Sequence, residues 1–149
     1  MVNELSISEK IRETISAAKP KLLKIFPELA SHKSRPGSWS KKEILGHLID
    51  SASNNHQRFV RGAQNAAMDF PVYKQDPWVE VQHYNDLEWT NLIELFYQYN
   101  YHISRVIEFL PAESLNNLCN IGKENPATLK FVVEDYLRHL NHHLEKILE

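Results

Sequence analysis

The residues best placed for chemistry are three histidines near the end of the chain. The stretch R-H-L-N-H-H-L-E (138–145) sets His139 and His143 four residues apart, with His142 beside the latter. On an α-helix, four residues advance about 6 Å and overshoot a full turn by about 40°. Two imidazoles at that spacing reach one metal ion from the same face. His142 is three residues from His139 and is also its neighbour on a helix. Spacing therefore leaves the pairs His139/His142 and His139/His143 both open. Leu140 stands where the helix of a zinc metalloprotease carries its glutamate, so H-E-x-x-H chemistry is excluded.

A further imidazole comes from the middle of the chain. His47, in E-I-L-G-H-L-I-D-S, lies beside the apolar stripe of another helical segment. Asp50, Ser51 and Asn54 continue a polar strip along that face, with Asn54 seven residues on and nearly in line with His47. Helical bundles build metal sites this way, from side chains on facing helices. The ordinary alternatives are a hydrogen-bonded, half-buried histidine at position 47 and a solvated His- and Glu-rich face on the last helix. His32, His56, His83 and His102 read as surface or packing residues, and Trp39, Trp78 and Trp89 as core or pocket wall. Arg58 reads as the partner of a carboxylate. Cys119 lacks the basic or helix-N-terminal setting that activates a thiol. No Gly-rich phosphate loop, nucleophile-elbow serine or CxxC is present.

The elements that must position these residues are helical. The first segment runs from about Ser8, with Ile11, Ile15, Leu22, Leu23 and Phe26 at mostly helical spacing. Pro20 should kink or break it and Pro27 should help end it. Residues 31–40 form a loop around Pro36 and Gly37. Ser40 is a good N-cap, with Glu43 completing a capping box, and the second long helix runs to about Ala66. Its apolar set includes Ile44, Leu45, Leu48, Ile49, Ala52, Phe59 and Val60. Residues 68–82 read as an ordered loop. A third helix spans about 83–110, with Leu92, Leu95, Phe96, Tyr99, Ile103, Val106 and Ile107 on its buried stripe. The last helix starts with Asn125 as N-cap and Pro126 in its first turn. Alternation never persists, so no strand is expected. Four long helices with one core predict an all-α four-helix bundle.

Composition fits that picture. A chain of 149 residues reads as one domain over 1–149, large enough to bury a core without staples. Only four glycines suit long helices better than a turn-rich β fold. The net charge of −2 lacks the basic excess of a nucleic-acid binder, so no nucleic-acid partner is expected. The single cysteine allows no internal disulfide. The start MVNELSISEKIRE is charged rather than signal-like, and no apolar run approaches the roughly 20 residues of a membrane span. The expectation is a cytoplasmic protein that does not contact membranes.

Three stretches resemble one family. P-G-S-W-S-K-K-E-I-L-G-H-L-I-D-S-A-S-N-N-H-Q-R-F (36–59) resembles the first characteristic block of the DinB-like (DNA-damage-inducible) superfamily. Y-K-Q-D-P-W-V (73–79) resembles its middle loop, and T-L-K-F-V-V-E-D-Y-L-R-H-L-N-H-H-L-E-K-I-L (128–148) its closing helix. The resemblance implies an up-down-down-up bundle with long crossovers and a three-histidine metal site, which falls on His47, His139 and His143. It thus selects His143 over His142. It also implies a homodimer and a metal-dependent enzyme. Thiol transferases that use low-molecular-weight thiols, and a thiol-dependent isomerase, belong to the superfamily. The expected function is a thiol-dependent S-transferase acting on a small electrophilic substrate. A metal-dependent hydrolase and a non-catalytic metal-binding stress-response module are the alternatives. Three imidazoles suit zinc or nickel first, with iron, manganese or copper also compatible. Asp50, Asn54 and Arg58 are the candidates to orient the histidines or touch substrate.

Overall fold

The computed structural model describes residues 5–149; residues 1–4, where the charged N-terminal stretch begins, lie outside it. Four long helices carry the fold: α1 (Ile7–Leu23), α3 (Lys41–Gly62), α5 (Trp89–Glu108) and α6 (Leu129–Leu148). Between them lie α2 (Pro27–Ser31), α4 (Gln75–Gln82) and three short strands, β1 (Ala67–Asp69), β2 (Leu118–Asn120) and β3 (Ala127–Thr128). Capping boxes start α1 at Ser6/Glu9 and α3 at Ser40/Glu43. Each satisfies backbone N–H groups that the first turn leaves free.

Helix α1 packs on α5 and α6, and α3 packs on the same two. Helices that follow one another, α1 and α3 or α5 and α6, thus sit across a diagonal. Side-chain contacts fix the directions. Arg12 pairs with Glu108 and Lys19 with Glu94, so α1 and α5 are antiparallel. Ser40 meets Asn85 and His56 meets Tyr99, so α3 and α5 are parallel. Lys41 bonds the Ile147 carbonyl and Phe59 packs on Tyr136, so α3 and α6 are antiparallel. The bundle is therefore up-down-down-up. Two parallel neighbours need a connection that returns the length of a helix, about 33 Å for the 22 residues of α3. Residues 63–88 make that return, with β1 and α4 on the way.

The buried core is drawn from all four helices, with Ile11, Ile15, Phe59, Phe96 and Leu140 among its members. The Trp89 indole N–H donates to the Leu22 carbonyl at 3.0 Å, which ties the start of α5 to the end of α1.

Several boundaries differ from the sequence expectation, each for a local reason. Pro20 does not break α1, which continues to Leu23. Its missing N–H removes one bond close to the helix end, where the loss is smallest. Pro27 opens α2 as its first residue. Helix α3 stops at Gly62 rather than near Ala66. Part of the 68–82 loop is the helix α4. Helix α5 begins at Trp89, because His83 adopts a left-handed φ of 51° and Tyr84–Asp86 form a 3-10 turn. The N-cap of α6 is Thr128, whose hydroxyl accepts from Phe131 N, and not Asn125. Ala127 and Thr128 pair with β2, which holds Pro126 outside the helix. The sheet, ordered β1-β2-β3 with β1 and β2 parallel, was not expected; strands of two or three residues show no alternation to read. Val60 and Leu95, assigned to buried stripes, are 39% and 48% exposed, and Phe26 is 75% exposed.

Candidate metal centre

The antiparallel packing of α3 against α6 brings His47 to His139 and His143. One ring nitrogen from each lies within 4.8 Å of the others. His47 Nε2 and His139 Nε2 are 3.0 Å apart. The ring centroids are separated by 4.9, 4.7 and 4.5 Å. A tetrahedral ion with bonds of about 2.0–2.1 Å holds its ligand nitrogens about 3.3 Å apart, so the His47–His139 pair is already near that spacing and the widest pair would close by up to about 1.5 Å. His47 is 1% exposed, and His139 and His143 are half-buried. His142 is exposed and outside the set, its ring 5.1 Å from that of His143. The face of α6 that meets α3 brings His143, and not His142, to His47.

Electrostatics favour the neutral rings. Burial, then the neighbouring His139 and His143, push His47 down to about 3. Burial, with the same kind of crowding, pushes His143 down to about 4. Burial also lowers His139, although Asp135 one turn away opposes it. Neutral imidazoles are the form that ligates metal. Nδ1 of His47 and Nδ1 of His143 are buried and have no hydrogen-bond partner among the described residues. Three neutral rings bring one donor and one acceptor each, far more than their one mutual hydrogen bond uses. A cation that takes one lone pair from each ring fits this donor set.

One side of the set is open. His143 reaches the wall of a cleft of about 800 Å³ shared with Trp39, Lys41, Ile44, Gln75 and Asp76. The Trp39 ring lies 5.0 Å from that of His47 and covers it.

The three other candidates are placed differently from one another. Asp50 is buried one turn beyond His47, outside the histidine set. Its Oδ1 accepts from Tyr84 Oη at 2.6 Å and from Gln82 Nε2 at 2.8 Å, while Oδ2 has no partner. Burial raises its pKa and those two hydrogen bonds oppose the rise. Gly46 makes this possible: a Cβ there would lie 2.2 Å from the Tyr84 ring. Asn54 turns inward on its own helix and donates to the Asp50 carbonyl. Among the described residues Arg58 forms no salt bridge, contrary to the sequence expectation; its guanidinium lies 6.0 Å from the centre of the Tyr73 ring. Tyr73, Gln82 and Tyr84 went unassigned in the sequence, since aromatic and amide residues in a loop carry no spacing signal. Among the remaining histidines, His32 and His83 are exposed, while His56 and His102 face each other across α3 and α5.

With this geometry in view, relatives can be compared. The sequence profile of the DinB superfamily matches residues 16–147. The chain belongs to the DinB superfamily. Among solved structures it is similar to YfiT from Bacillus subtilis, described as a probable metal-dependent hydrolase with an unusual four-helix bundle topology. The two are 16% identical, with a TM-score of 0.84 over 99% of this chain and 88% of that one. It is also similar to a mycothiol-dependent maleylpyruvate isomerase, 10% identical, with a TM-score of 0.70 over 96% of this chain. The chain spans 61% of that second protein. At these identities both likenesses establish the bundle fold alone. No curated protein matches the chain. Among the described residues, no helix of this DinB-superfamily member is long and apolar enough to cross a membrane.

Proposed function

We propose that this chain is a metal-dependent enzyme in which His47, His139 and His143 hold one divalent cation, and that it transfers a low-molecular-weight thiol to a small electrophile. What supports this most is the convergence of three imidazoles, one of which, His143, reaches the wall of an open cleft. Three protein ligands leave a position for a reactant, the arrangement of catalytic rather than closed structural sites. Bound there, a divalent cation, with zinc or nickel the best match, supplies the Lewis acidity that lets a thiol react as its thiolate near neutral pH.

The protein's own residues carry the remaining tasks. Burial favours the neutral form of all three rings. Trp39 shields His47 from water on one side. Lys41 and Lys146, on the same cleft as His143, favour an anionic reactant there. Tyr84 and Gln82 hold the Asp50 side chain, and with it the turn of α3 that presents His47.

A second reading, hydrolysis by an activated water, is favoured by the likeness to YfiT, whose length this chain nearly spans. A non-catalytic metal-binding module would need a site shut off from reactants, and the cleft at His143 argues against that. The test is turnover by the metal-reconstituted protein on a panel of alkyl and aryl electrophiles with added thiol, and on esters and amides without it. Thiol-dependent conjugation that disappears in His139→Ala is expected. Turnover only without thiol selects hydrolysis. No turnover on either panel contradicts an enzymatic role.

A further inference from the structure

Arg58 stands on α3 eleven residues beyond His47, hence about 16 Å along the axis and about 20° from the same line. It is half-buried and no carboxylate pairs with it among the described residues. Its hydrogen bond to Asn55 Oδ1 is long, at 3.4 Å, and its guanidinium lies toward the Tyr73 ring. Burial lowers its pKa, the mark of a cation held partly out of water. A desolvated guanidinium with so few acceptors is unfavourable until an anion meets it. It opens on a second cleft of about 630 Å³, lined also by Tyr73, Lys74 and Lys123 and by the carboxylates Asp76 and Asp135. Asp135 acts on Arg58 through space but forms its ion pair with Arg138. Gln75 and Asp76 line this cleft and also the one that His143 reaches. The two openings therefore share a wall.

We infer that Arg58 is the centre of a carboxylate-binding subsite, which anchors the distal acid group of a thiol or substrate whose reacting end lies at the three histidines. A planar guanidinium whose hydrogen bond to Asn55 is long suits a carboxylate in two-point contact. Tyr73, whose ring lies beside the guanidinium, and Lys74 line the same cleft and flank the anion. The subsite names the reactant class: an extended small molecule with a carboxylate remote from its reacting group. It rests on the metal-dependent reading, but its test does not.

The test is an NMR titration of the protein with succinate and with its neutral twin succinamide, following the Arg58 guanidinium and the backbone amides of Tyr73 and Gln75. Saturable shifts with succinate and none with succinamide are expected. Arg58→Gln should weaken succinate binding about tenfold or more, with Arg58→Lys between it and the parent. His139→Ala should leave the titration unchanged, so a failure of the metal site and a failure of this subsite give different results. Equal responses to succinate and succinamide, or no response at Arg58 in the unaltered protein, would overturn the subsite, whether or not any variant folds.

Discussion

Helix α3 carries two histidines that each meet a histidine on a neighbouring helix, and they end in opposite states. His47 meets His139 and His143 across the antiparallel interface with α6. His56 meets His102 across the parallel interface with α5, at a centroid separation of 5.3 Å. Ring distance alone hardly separates the two. His56 Nδ1 has a partner, Tyr99 Oη at 3.0 Å, and His102 is exposed. His47 Nδ1 is buried without a partner, and a third imidazole completes its group. A histidine pair becomes a candidate metal centre when a third ring arrives and burial strips away water and protons together. Where water and a tyrosine satisfy the rings, it is packing.

Breaking the first group should have the largest effect. His47→Ala or His139→Ala removes one of three ligands and should weaken binding of zinc or nickel more than about 100-fold, beyond the loss typical of supporting residues. Titration calorimetry with a competing chelator measures it.

Acid should separate the two groups next. In the unfolded chain each ring takes its proton near 6.5, whereas in the fold His47 does so at about 3 and His143 at about 4. Between those values the unfolded state binds more protons, so stability of the metal-free protein should fall as pH drops through 6.5 toward 4. Denaturant melts at stepped pH follow this. His47→Phe should flatten the slope more than His56→Phe, because His56 is lowered by lighter burial. Metal affinity of the folded protein should fall less between about pH 7 and about pH 5 than three ordinary imidazoles would give, since His47 and His143 hold no protons to displace there.

A smaller effect should come from the packing behind His47. Gly46→Ala drives a methyl into the Tyr84 ring and should cost about 1–3 kcal/mol of stability, read from the midpoint of a urea melt. The smallest should come from the second pair. His102→Ala should change stability by less than about 0.5 kcal/mol and leave metal content unaltered.

Legibility in the sequence followed the same division. Long-period signals were readable: the Ser40/Glu43 capping box, the apolar stripes, and the His139/His143 spacing on α6. They place side chains on helix faces, and four such helices have few ways to pack. The resemblance then supplied the up-down-down-up order that periodicity cannot. What escaped was decided by contacts between distant segments. Thr128 displaced Asn125 as N-cap because β3 pairs with β2. Leu95 looked buried by spacing, yet it is 48% exposed on α5. Tyr84 reached Asp50 only because Gly46 leaves room for its ring. Arg58 looked like an ordinary ion-pair partner, and only the fold shows that no carboxylate among the described residues forms a salt bridge with it, Asp135 pairing with Arg138 instead.

The central claim is that His47, His139 and His143 hold one cation and that His142 does not take part. Elemental analysis of the reconstituted protein beside His139→Ala, His142→Ala and His143→Ala tests it most directly. The account predicts about one metal per chain in the parent and in His142→Ala, and almost none in the other two. A parent far below one metal per chain, or a His143→Ala protein that keeps its metal while His142→Ala loses it, would contradict it.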